Sequence, residues 1–134
     1  MRGSCLCGAV AFQAEPPASG LRIGFCSCPS CRKAHAAPFN AYAAVPRADF
    51  RWLKGQDRIR SYASSPGKQR HFCGVCGSQL ISERTGMHDV LLRVALLDED
   101  PGVRPVEHIY RQYEVSWCDW DAPSVVSYDG EPSP

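Results

Sequence analysis

Short stretches in which apolar and polar residues alternate recur along the chain, each closed by a turn signal. At a spacing of about ten residues, that pattern predicts a mainly β domain. AVAFQAE (9–15) is apolar, partly alternating and stops at Pro16-Pro17. LRIGF (21–25) alternates and runs into a cysteine cluster. FNAYAAV (39–45) and FRWL (50–53) are strand-like and separated by Pro46. RIRSYAS (58–64) sets Ile59 and others against charge and ends before Pro66-Gly67. QRHFC (69–73) leads into a second cysteine cluster, and SQLISER (78–84) with DVLLRVALL (89–97) reads as a hairpin around Thr85-Gly86.

Helical signal is sparse. CRKAHAA (31–37) predicts one or two turns before Pro38 and places Arg32 and Lys33 just after the first cluster. DEDPGVRP (98–105) reads as a loop, and DGEPSP (129–134) as a mobile tail. The chain holds no repeat long enough for a solenoid and no second-domain boundary.

Composition narrows the function classes. A length of 134 residues, 44% hydrophobic and 22% charged, suits one ordinary globular domain. A net charge of +1 gives no electrostatic reason to bind nucleic acid or an anionic membrane. No apolar run approaches the roughly 20 residues needed to span a bilayer. MRGSCLCGAV lacks the apolar core of an export signal, so the expected location is the cytoplasm.

Eight cysteines then change the picture. A secreted disulfide scaffold would want an export signal, and neighbours as close as Cys-x-Cys bridge one another only with strain. In a reducing compartment the clusters read as metal ligands. Cys73-Gly74-Val75-Cys76-Gly77 is a two-residue knuckle whose glycines admit unusual backbone angles, and it supplies half of a four-thiolate site. Cys5 and Cys7 can complete it, since residues i and i+2 of a strand face one side. Four thiolates close the site, so its role is structural. Cys26, Cys28 and Cys31 remain, and three ligands with an open position mark a catalytic zinc. A fourth ligand from His35, His71, His88, His108 or Cys118 would close this site instead, and other partitions of the seven thiols stay open.

GSCLCGAVAF, CSCPSCRKA, RHFCGVCGSQL and RPVEHIY followed by SW closely resemble the glutathione-dependent formaldehyde-activating enzyme (GFA) family, which includes the centromere protein V type. The resemblance runs from Gly3 to about Trp120 and is specific in the order and spacing of seven cysteines. It implies a mainly β, single-domain, Mss4-like fold, a zinc-stabilised β-tent over residues 3–121, with 122–134 as a tail. It implies a structural zinc on Cys5, Cys7, Cys73 and Cys76 and a catalytic-type zinc on Cys26, Cys28 and Cys31, two ions per chain. Family members are classed as carbon–sulfur lyases, and the name-giving reaction adds glutathione reversibly to formaldehyde. The chain departs from the family at Ser27, where many members have histidine, and at His35-Ala36, where glycine and serine are common.

The expected function is therefore a zinc-dependent carbon–sulfur lyase or synthase. Its partners would be a small thiol such as glutathione and a small carbonyl. Arg32 and Lys33 would meet a substrate carboxylate, and His35 is the nearest candidate base. The alternatives are a non-catalytic zinc module that binds protein, with a closed or vacant second site and an exposed apolar patch, and a chromatin-associated protein, against which the near-neutral charge counts.

Overall fold

The computed structural model describes residues 1–119, 124–126 and 128–131. It is a mainly β, single-domain structure with two sheets. Three strands, β1 (Arg2–Ser4), β2 (Ala11–Ala14) and β5 (Phe50–Lys54), form the smaller sheet in the order β1-β2-β5. The larger sheet contains β3 (Ile23–Cys26), β4 (Asn40–Pro46), β6 (Ile59–Ser65), β7 (Lys68–Cys73), β8 (Gln79–Arg84), β9 (Asp89–Arg93) and β10 (Pro105–Ile109). Its order is β10-β3-β4-β9-β8-β7-β6, antiparallel throughout except that β10 lies parallel to β3.

One helix, α1 (Pro29–His35), follows β3 directly. It starts two residues before the stretch 31–37 suggested, because Cys28 caps it and Pro29 occupies the first turn, where a missing N–H costs nothing. Ala36 ends it in the left-handed conformation, with φ 48°. The expected hairpin of β8 and β9 is present, but its second arm stops at Arg93, where Val94–Leu96 turn as a 3-10 helix. That turn carries the chain across to the small sheet, where Leu97 bridges Gly3 and the Asp98 N–H donates to the Arg2 carbonyl at 3.0 Å.

Alternation decides which residues meet. Phe12, Ala14 and Phe50 from the small sheet pack on Ala43, Val45, Ile81, Val90 and Leu92 from the large one. Phe12 and Phe50 stack at 5.4 Å, and Trp52 meets both edge-on. The large sheet's opposite face follows from the same period of two. Paired positions Tyr42↔Arg93, Leu91↔Ser82 and Ser82↔Arg70 project away from that core, with Arg84 and Lys68 in line beside them. One face of this sheet thus holds the core and the other is left to polar and basic side chains. No helix among the described residues is long and apolar enough to cross a membrane.

Candidate functional site

Cys5 and Cys7 lie in the turn after β1, not in a strand as their spacing suggested. The Gly8 N–H closes that turn on the Cys5 carbonyl at 3.0 Å, and Gly8 takes φ 76°. Cys73 ends β7 and Cys76 sits in the following turn, closed by the Gly77 N–H on the Cys73 carbonyl at 2.8 Å. The two turns bring four sulfurs within 4.8 Å of one another, with Cys5 to Cys7 at 3.6 Å and Cys7 to Cys73 at 3.9 Å. A tetrahedral zinc tetrathiolate needs sulfurs about 3.8 Å apart, so the donor set fits. All four are free thiols. The Val10 N–H donates to the Cys5 sulfur at 3.3 Å, and Ser78 Oγ lies 3.3 Å from the Cys76 sulfur. Ser78, first through its hydroxyl and then through its backbone, holds the Cys76 thiol down at about 5. Val10, Leu80, Cys5 and Cys73 form a small buried cluster beside the quartet.

Cys26 ends β3, Cys28 caps α1 and Cys31 lies in its first turn. Their sulfurs also converge within 4.8 Å, and no further Cys, His, Asp or Glu among the described residues joins them. Three soft donors of this kind suit zinc, with a position left over. The Cys31 thiol is held low, at about 4, by its hydrogen bond with Cys26 and by Arg70, against the opposing effect of burial. Cys26 is pushed up by the same neighbour, Cys31, and by burial. The Arg70 Nη2 donates to the Cys31 sulfur at 3.7 Å.

Ser27 points away from the trio and is buried. Its hydroxyl meets His108 Nε2 at 2.7 Å, and its N–H donates to the Ile109 carbonyl at 3.2 Å. His108 Nδ1 reaches Glu114 at 3.4 Å. Ser27 therefore ties the cysteine loop to β10. Cys118 lines a different cavity, beside Ser27 and His108.

The trio opens onto a cavity of about 460 Å³ on the polar face of the large sheet. Asn40, Tyr42, Ser64, Lys68, Arg70, Arg84 and Arg93 contribute to its walls. Arg32 and Lys33 are not among the lining residues. Arg32 spends its Nε on the Ser27 carbonyl at 3.2 Å, and Lys33 is exposed on the outer side of α1. The basic residues that do line the cavity escaped the sequence reading. Their signal was there: Arg93 interrupts the apolar run of β9, and a charge at such a position needs a reason. His35 lines neither this cavity nor the trio. It lines a neighbouring cavity with Asn40 and Arg93, with its ring held neutral down to about pH 3 by burial and then by Arg93, Arg70 and Lys68. Tyr42 donates to Glu107 at 3.0 Å, and burial followed by that carboxylate pushes its own ionisation upward, so it stays a donor.

Fold and sulfur geometry together define a two-sheet β protein with two cysteine clusters able to hold metal ions. The model of the family described as glutathione-dependent formaldehyde-activating enzyme matches residues 1–113, and the chain belongs to that family. It is 31% identical over 80 residues to an uncharacterized lyase of Schizosaccharomyces pombe. That match covers 58% of this chain and spans about half, 53%, of the relative's length. It also resembles the crystal structure of a Rhodobacter sphaeroides protein solved as a structural-genomics target. The TM-score is 0.66 with 25% identity, over 81% of this chain and 99% of that one.

Proposed function

We propose that the chain is a zinc-dependent carbon–sulfur lyase or synthase acting on the adduct of a small thiol, such as glutathione, with a small carbonyl. One observation carries the reading: the trio of Cys26, Cys28 and Cys31 lacks a fourth protein ligand among the described residues and opens onto a cavity. Family membership and the lyase name of the fission-yeast relative support it. The quartet of Cys5, Cys7, Cys73 and Cys76 would hold a structural zinc.

A zinc held by three thiolates accepts a soft fourth ligand and keeps a thiol ionised near neutral pH. The chain's own groups do the rest. Arg70 stabilises the thiolate form of Cys31 and keeps its sulfur turned to the cavity. In the forward direction the substrate sulfur bonds to the carbonyl carbon. The carbonyl π pair moves to oxygen, which takes a proton from the Lys68 ammonium, and solvent restores that proton. In reverse, neutral Lys68 removes the hydroxyl proton as the carbon–sulfur bond breaks. Burial, and then Arg70, lower the Lys68 pKa from its usual value, which eases both steps.

The test is adduct formation and cleavage by the zinc-loaded protein with a panel of thiols and aldehydes. Cys28→Ser is expected to lose activity, and Lys68→Met to slow it by roughly 10²-fold or more at retained zinc content. Parent-like rates in Cys28→Ser would end the proposal.

A further inference from the structure

Four basic side chains, Lys68, Arg70, Arg84 and Arg93, line the cavity, and no carboxylate among the described residues lines it with them. None of the four takes part in an ion pair among the described residues. Two of them are deeply buried: Arg70 is 3% exposed and Arg93 4%. Arg70 gives its Nε to Ser64 Oγ at 2.9 Å and its Nη2 to Cys31, which leaves Nη1 without a partner among the described residues. Arg93 leaves both Nε and Nη2 without one. A buried guanidinium without an ion pair is strongly unfavourable unless a negative group nearby offsets its charge. The thiolates answer only part of that need. Three thiolates around a divalent ion carry a single net negative charge, and Arg70 already touches them.

We propose that Arg70 and Arg93 form an anion subsite beside the thiol trio that takes a carboxylate on the carbonyl half of the substrate. The preferred electrophile is then an aldehyde or ketone with a carboxylate next to the reacting carbon, rather than neutral formaldehyde. This rests on the thiol-adduct reading above. Position selects the carbonyl half. Arg70 lies against Cys31, so an anion it holds sits close to the sulfur being joined. The carboxylates of a glutathione-like thiol lie several bonds from that sulfur and suit the outer cation, exposed Arg84. The fixed positive charge of Arg70 and Arg93 beside the trio attracts a carboxylate. Held there, the carboxylate orients the carbonyl for attack. The addition balances as before: the carbon–sulfur bond forms, the π pair goes to oxygen, and that oxygen takes one proton.

The test begins with binding to the zinc-loaded parent. Oxamate, an unreactive 2-oxo acid mimic, is expected to bind saturably by calorimetry and to raise the melting temperature, while acetamide does neither. Arg93→Gln is expected to weaken oxamate by about tenfold or more. It should also lower the ratio of kcat/KM for glyoxylate over formaldehyde, each with glutathione. If Arg93→Gln does not fold, Arg93→Met removes the same charge and is read in the same way. Absence of oxamate binding to the parent at tens of millimolar, or undiminished binding in a folded Arg93 variant, overturns the subsite. Oxamate binding with no aldehyde turned over leaves the subsite standing and removes the lyase reading. Formaldehyde turnover without oxamate binding does the reverse.

Discussion

His35 ends helix α1 with Nε2 buried and no hydrogen-bond partner among the described residues, facing the field of Arg93, Arg70 and Lys68. Burial first, then those three cations, depress its pKa from 6.5 to about 3. The consequence for stability has a definite sign. Between those values the unfolded chain binds a proton that the folded one refuses, so stability rises with pH across that window. The contribution is complete above pH 6.5 and is lost as pH falls toward 3. For a fully buried ring the slope would reach about 1.4 kcal/mol per pH unit, and partial exposure reduces it. Replacing the ring with a group that does not titrate should remove this component. Denaturant titrations at pH 7, 6 and 5 are expected to show the parent losing more stability on acidification than His35→Gln. Parallel losses in the two proteins would mean that His35 takes up its proton in the folded state. The same depression makes His35 a poor general base at neutral pH, and this is why the proton step is assigned to Lys68.

Strand β3 is held between β4 and β10 with no room for a side chain at Gly24. A Cβ there would fall 2.6 Å from the Tyr42 ring and hydroxyl and 3.0 Å from Glu107 Cγ. Gly24→Ala must therefore displace the Tyr42–Glu107 hydrogen bond that joins the two flanking strands. The expected cost is about 1–3 kcal/mol by denaturant titration, with faster amide exchange concentrated in β10. Exchange spread evenly over the sheet would show that β10 is not the element displaced. Strands of this kind differ in how far the sequence reveals them. β2, β4, β8 and β9 bury alternate or consecutive apolar residues, and their patterns were readable. β10 was not, because Pro105, Val106, Glu107 and Ile109 are exposed on an edge and only His108 is half-buried. β1, three residues long, is too short to show a period. The two cysteine clusters were legible because thiols that could share a metal ion must recur at short spacings along the chain. The cavity's cations come from β7, β8 and β9, and only strand pairing brings them together.

Across the whole molecule the quartet joins positions far apart: Cys7 and Cys73 are 66 residues apart in sequence and 3.9 Å apart in space. It brings the turn after β1 against the turn between β7 and β8, where the edge of the small sheet meets the large one. A metal at that crossing would contribute to folding itself, on the order of 10 kcal/mol in small zinc modules. The trio differs in kind. Cys26, Cys28 and Cys31 lie within one short stretch, where α1 and β3 already set the backbone. Loss of an ion there removes little chain constraint, because loop closure over so few residues is small. The two sites should thus separate on chelation. Native mass spectrometry is expected to find two zinc ions per chain. A mild chelator should take one of them while circular dichroism and the melting temperature change little, and a stronger one should take the second as the fold is lost. Cys73→Ser should abolish stable folding, whereas Cys28→Ser should fold and hold a single ion. Should both ions leave together with unfolding, or should Cys73→Ser melt like the parent, the division between a structural quartet and an open trio would be lost, and the thiol-binding position with it.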